Sequence, residues 1–241
     1  MILEKIGEGK YGKVYKGCYN KMCRYKYAAK QSESNLSLEY RIGLAVSKAA
    51  KSGVVRPYGM HMGVLFTQYV PLYSLNTKNF TKVFKKIIRT LMDIQRVYPS
   101  FRHNDLSFNN VFINSRDVAF IGDLGMANIE REGLRNPMVQ SGEFKKLYGI
   151  YPNNSPKFDI HFFLNSVYVN GPKALRSTVS RYLPHEYRGI TTAKVSMGRL
   201  RSDVSHTSFP SMKQLFSMVN TNEQKRRSDL RAATGKGSAR S

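Results

Sequence analysis

The sequence predicts an α+β fold of two lobes, a small strand-rich one over residues 1–70 and a larger, mainly helical one over 71–221. Three observations carry this. Short β-rich runs separated by glycine and polar bends fill the first seventy residues, with one helical stretch among them. From Thr81 the apolar residues switch to a spacing of three and four. A chain of 241 residues with 41% hydrophobic content suits one large domain or two small lobes sharing a cleft.

The elements follow in order. Ile2 to Ile6, Val14 to Cys18 and Tyr25 to Lys30 read as strands, parted by a glycine turn and the bend at Asn20-Lys21. Ser37 to Ala50 is helical, with Leu38, Ile42, Ala45 and Ala49 on one face and Gly53 after its end. Val54 to Tyr58 and Val64 to Val70 return to strand, and Pro71 stops the second. Val83, Phe84, Ile87, Ile88, Leu91, Ile94 and Val97 form the stripe of a long amphipathic helix that Pro99 ends. Two short strands, Val111 to Ile113 and Val118 to Ile121, straddle a polar turn. Residues 126–157 read as loop, and Asp159 to Val169 as a buried helix. Weaker helical segments lie at Lys173 to Tyr182 and Ser211 to Val219, and residues 222–241 read as a flexible basic tail.

Composition narrows the function. The chain carries 39 Lys and Arg against 16 Asp and Glu, a net charge of +23. Such a balance either keeps a solvated surface soluble or attracts polyanions, nucleic acid and acidic proteins among them. No run approaches the roughly 20 apolar residues that a membrane span needs. The opening Met1-Ile-Leu-Glu-Lys lacks a signal-peptide layout, so an intracellular protein is expected. Cys18 and Cys23 have no second pair or neighbouring His to complete a metal site, and read as reduced thiols on neighbouring strands.

The chemistry concentrates in Phe101-Arg-His-Asn-Asp-Leu-Ser-Phe-Asn-Asn-Val-Phe-Ile113 and, from Ile121, Gly-Asp-Leu-Gly. Asp105 in a tight loop can orient and deprotonate a hydroxyl. Asn110, just before an apolar strand, can turn back to hold a metal, and Asp123, before the next glycine, can hold a metal over a nucleotide's phosphates. A bare Asp-x-Gly means little; the order and spacing together with a glycine loop carry the signal. That loop is Gly7-Glu-Gly9-Lys-Tyr-Gly12-Lys-Val14, set between two strands, where glycines bring backbone N–H groups onto phosphate oxygens. A dinucleotide fold would need a helix after the glycines and an acid about twenty residues on, and neither is present. Lys30 ends a strand that lies over the same phosphates, and needs a carboxylate to hold it. Glu39, inside the following helix, is favoured over Glu33, which is too close along the chain. In the connector Thr67-Gln-Tyr-Val70, backbone groups of Gln68 and Val70 can meet an adenine edge, with Val14 and Ala28 packing on the base. Asp159, heading Asp-Ile-His-Phe-Phe-Leu-Asn-Ser, is either a helix cap or a support for the loop at Asp105.

Taken together these motifs resemble the protein-kinase superfamily from Ile2 to about Leu200. The variants His-Asn-Asp, Asn-Asn-Val-Phe-Ile and Leu183-Pro-His-Glu-Tyr-Arg-Gly189 are similar to compact Ser/Thr kinases of large nucleocytoplasmic DNA viruses. The resemblance implies a two-lobed kinase-like fold. Lys30 and Glu39 would fix phosphates, Asp105 would act on the hydroxyl, and Asn110 and Asp123 would hold metal. It further implies ATP with Mg²⁺ or Mn²⁺, protein substrates, and a host cytoplasm or virion location; the charge adds acidic proteins as candidate substrates, and a monomer without membrane contact is expected. Asp159 would accept hydrogen bonds from the catalytic-loop backbone. The departures are specific. Asn104 stands for the Arg that reads an activation-segment phosphate, and Ser107 for the Lys of Ser/Thr kinases. Leu124 replaces a Phe, and residues 126–157 contain no Ala-Pro-Glu. The alternatives are a pseudokinase whose basic surface holds nucleic acid or a virion component, and a small-molecule kinase.

Overall fold

The computed structural model describes residues 4–9, 12–20, 22–33, 35–141, 155–183 and 210–235, with backbone alone at 226, 227 and 230–235. Its first part is a five-stranded antiparallel sheet of order β1-β2-β3-β5-β4. The strands are β1 (Glu4–Gly9), β2 (Gly12–Cys18), β3 (Lys26–Ser32), β4 (Pro57–His61) and β5 (Val64–Gln68), and α1 (Leu36–Ala49) is inserted between β3 and β4. A register shift between Lys5 and Gly7 kinks β1 on its way into the glycine loop. Asn35 caps α1, its side-chain oxygen accepting from the Leu38 N–H at 3.0 Å. The helix buries Leu38, Ile42 and Val46 as a stripe, and Glu39 with them.

The second part is built on α2 (Phe80–Val97), whose apolar stripe packs into the core while Val97, expected on that stripe, stays half exposed. Short pairs follow. β6 (Phe101–Arg102) joins β9 (Asn128–Ile129), and β7 (Val111–Ile113) joins β8 (Ala119–Ile121). A short helix, α3 (Pro137–Gln140), then interrupts a stretch that reads as loop. The central element is α4 (Phe158–Asn170), buried from Phe158 through Val167, because its apolar residues are spread over all sides and not gathered on one face, with Asp159, His161, Asn165 and Ser166 buried among them. Phe84 of α2 stacks on Phe163 of α4 with ring centroids 6.2 Å apart. A 3-10 turn at Lys173–Leu175 leads into α5 (Arg176–Val179), and α6 (Met212–Gly235) packs back on α2 through Leu215 and Val219.

Two expectations are corrected. Residues 222–235 are not a flexible tail but the continuation of α6, in which Glu223 pairs with Lys85 at 2.9 Å and Asn222 bonds the Tyr182 hydroxyl at 3.3 Å. Gln, Lys, Arg, Leu and Ala all favour helix, so low apolar content alone did not end it. Cys18 and Cys23 are not separate thiols. The bend between β2 and β3 brings their Cα atoms to 4.9 Å and they form a disulfide. The motif at 184–189 and the end of the chain from 236 lie outside the described residues. Among the described residues, no helix is long and apolar enough to cross a membrane.

Candidate functional site

One face of the sheet assembles the first group. Val14 lies directly opposite Lys30 across β2–β3, and Ala28, two residues before Lys30, lies opposite Thr67 of β5. Side chains alternate along a strand, so Val14, Ala28, Lys30 and Thr67 share this face while Tyr27 and Ala29 occupy the other. Gly7 is also opposite Val14. Gly9 has open space where a Cβ would be, as a backbone approached by a ligand requires. The Gln68 N–H is taken by the Arg56 carbonyl at 2.7 Å, so a contact to a base at Gln68 would fall to its carbonyl oxygen. Val70, just past β5, is buried.

Lys30 is the hub. Its Nζ donates to both carboxylate oxygens of Glu39, at 3.1 and 2.9 Å, and to Asp123 Oδ1 at 2.6 Å. Glu39 thus takes the role for which Glu33 competed; Glu33 sits exposed in the bend after β3. Burial works against the Lys30 ammonium, but the two carboxylates outweigh it and hold its pKa above the usual lysine value. Burial also pushes the Glu39 carboxyl up, with Lys30 opposing. For Asp123, whose side chain is 47% exposed, the upward push of burial is overcome by Lys30 and by the Gly125 N–H, which keep it ionised. Asp123 itself has φ 52°, and Gly125 beside it leaves the triad room: an added Cβ would stand 3.3–3.5 Å from Asp123, Glu39 and Lys30.

Asp105 and Asn110 form the second group. The Asn110 amide donates to the Asp105 carbonyl at 2.7 Å and to its carboxylate at 3.1 Å. Since the amide nitrogen is engaged there, the Asn110 oxygen is the atom suited to a cation. Two links tie this group to the first. The Gly122 N–H donates to the Asn110 carbonyl at 3.0 Å, and His103 Nε2 meets the Gly122 carbonyl at 2.9 Å. The loop is held from below by Asp159, fully buried, which accepts from the His103 and Asn104 N–H groups, both at 2.9 Å. A carboxylate between two backbone donors fixes a loop more firmly than a neutral group would.

Several supports escape a reading of the sequence. Asn104 donates to the Asn128 side chain at 2.7 Å and to the Met126 carbonyl at 3.0 Å. Asn136 donates to the Gly125 carbonyl at 2.6 Å. Ser166 accepts from the Phe108 N–H at 2.9 Å and pins the loop to α4. Ser166 carried some signal, since a hydroxyl inside a mostly apolar buried helix needs a partner. The asparagines act across long sequence separations that no local pattern reveals.

A phosphorylated nucleotide with a hard divalent cation fits this set. Such cations, Mg²⁺ above all, use one or two protein oxygens and complete their shell with phosphate and water. Asp123 and the Asn110 side-chain oxygen would be the two protein oxygens for such a cation. No group of three or more His, Cys, Asp or Glu suited to a metal exists among the described residues, so a self-sufficient protein cage is not what these residues offer.

No protein-family model matches the chain. It is similar to a protein of Acanthamoeba polyphaga mimivirus named "Putative serine/threonine-protein kinase R400", at 24% identity over 170 residues, covering 56% of this chain and 36% of that one. The similarity is distant, and the chain spans about a third of that relative's length.

Proposed function

We propose that the chain is a protein kinase of two-lobed form, transferring the γ-phosphoryl group of ATP to Ser or Thr hydroxyls of protein substrates. The observation that carries the reading is the Lys30–Glu39–Asp123 cluster, tied through Gly122 to Asp105 and Asn110. In this reading Lys30, braced by Glu39, neutralises the α and β phosphates of ATP, and the glycine loop gives its N–H groups to the others. Val14 and Ala28 pack on the base, with Gln68 and Val70 along its edge. Mg²⁺ would be held by Asp123 and Asn110, and it supplies charge neutralisation on the phosphates. Asp105 orients the substrate hydroxyl and takes its proton. The hydroxyl oxygen bonds the γ-phosphorus as the bond to the β–γ bridging oxygen breaks, and ADP leaves. The distant similarity to the mimivirus protein agrees with kinase chemistry.

Labelled ATP and Mg²⁺ with a mixed protein substrate, and separately with aminoglycosides and choline, test this. Label on protein, as phosphoserine and phosphothreonine, is expected. Label on the small molecules only, or ATP binding without transfer, would replace the reading with a small-molecule kinase or a pseudokinase. Phosphotyrosine as the main product would overturn the Ser/Thr assignment, which Ser107 leaves without the usual lysine.

A further inference from the structure

Away from that site, a groove of about 820 Å³ runs between the first half of α2, the turn before β8, the end of α5 and α6. None of the candidate site residues lines it. Among the described residues that line it, seven are Lys or Arg and three are acidic, so this lining is cationic beyond what its own ion pairs cancel. Lys82, Lys85, Lys86 and Arg89 recur at three and four along α2, a stripe about 10 Å long on the face opposite the core. Lys78 precedes it, and Arg181 and Lys225 add charge from α6 and the residues after α5. Among the described residues, Lys85 bonds Glu223 at 2.9 Å, Lys82 stands 4.0 Å from Asp117, and Asp93 acts on Lys86, whose Nζ donates to the Ser52 hydroxyl at 2.8 Å. Arg89 lies over the Phe216 ring at 4.8 Å, which leaves its planar donors held in place at the rim.

We propose that this groove binds the phosphate backbone of a nucleic-acid strand. The repeat of cations, one helical turn apart, matches a chain of regularly spaced single charges. Thr77, Thr81 and Thr178 add hydroxyls of the kind that meet phosphate and sugar oxygens. An acidic protein segment fits less well. Protein docking surfaces are anchored by apolar or aromatic side chains entering a pocket. Here the apolar lining offers little, since Tyr182 and Val219 are buried in the core and Val118 is half buried.

The test uses the full chain without ATP and reads fluorescence anisotropy of a labelled single strand of about 20 nucleotides across a salt series. The variant Lys78→Ala/Lys82→Ala/Arg181→Ala/Lys225→Ala removes four exposed groove cations. A control, Arg24→Ala/Lys26→Ala/Lys48→Ala/Lys213→Ala, removes four exposed cations elsewhere. Both are matched to the parent by thermal melting, with Lys82→Ala and Arg181→Ala alone as milder versions. The groove variant should bind at least about tenfold more weakly at low salt, and the slope of log affinity against log salt should fall by about 3. The control should stay within about twofold of the parent. Equal losses in both variants would overturn the proposal in favour of diffuse charge. Preferential competition by a polyglutamate peptide over an equally charged oligonucleotide would overturn it in favour of an acidic protein partner. Phosphoryl transfer to a short peptide, read in the same variants, is independent of this outcome, so failure of the groove and failure of the kinase reading are separable.

Discussion

At Gly12 the reason for a glycine differs from the reason at Gly9, although both belong to one motif. An added Cβ at Gly12 would lie 2.3 Å from the Gln31 carbonyl oxygen, where β2 and β3 press together, whereas at Gly9 it would meet nothing within 4 Å. Gly12→Ala should therefore cost stability, about 1–3 kcal/mol by overpacking, seen as a lower denaturant midpoint. Gly9→Ala should keep the midpoint and raise the KM for ATP, since its Cβ enters only the space a phosphate would use. Asn104 is a second case. It holds φ 64°, a conformation Asn tolerates better than most residues, and its amide is engaged by Asn128 and Met126. Neutral and so engaged, it could not pair with a phosphate on a neighbouring loop as an Arg would, if the chain is a kinase as proposed. Phosphatase treatment should leave the transfer rate unchanged; a large, reversible loss would mean that another cation reads a phosphosite.

Helix α4 ties the site to the core and carries an acid-sensitive group. His161 is buried there, and burial, with Lys157 adding repulsion, lowers its pKa to about 3. The unfolded chain protonates this histidine near 6.5 while the folded chain does not, so between those values the unfolded state binds more protons and acid destabilises the fold. The contribution is up to about 1.4 kcal/mol per pH unit, and His161→Leu should flatten the dependence between pH 6 and 4 in urea titrations. An unchanged slope would place the acid sensitivity elsewhere. α4 was legible in the sequence because a mostly apolar run with an acid at its head, interrupted only by His161, Asn165 and Ser166, fits few other elements. The loop at Asp105 was legible because its chemistry is local, five residues from Asp105 to Asn110. The helical face of α1 was less so. The expected stripe of Leu38, Ile42, Ala45 and Ala49 holds at Leu38 and Ile42, while packing buries Val46 and Glu39 in place of the two alanines, a burial that Glu39 tolerates through Lys30. The Asn104–Asn128 and Asn136–Gly125 bonds were not legible, since they depend on how distant turns come together.

Over the whole molecule, the longest departure from the sequence reading is α6, which turns a supposed tail into part of the packed structure. Deleting residues 222–241 should lower stability by about 1 kcal/mol, through loss of the partly buried Lys85–Glu223 pair, rather than leave it untouched. Thermal melting of the truncated chain checks this. The proposed kinase function stands or falls with Lys30, Glu39, Asp105, Asn110 and Asp123 acting as one phosphoryl-transfer site. Asp123 carries two demands at once, because in this structure it bonds Lys30 and in the proposed reaction it must hold metal. The direct measurement is the rate of phosphoryl transfer from labelled ATP to protein by Asp123→Ala against the parent chain, with thermal melting matched. A loss of about 10²-fold or more is expected, as for removal of other transition-state charge stabilisers, with Lys30→Met and Asp105→Asn losing as much. Turnover by Asp123→Ala near that of the parent would contradict it.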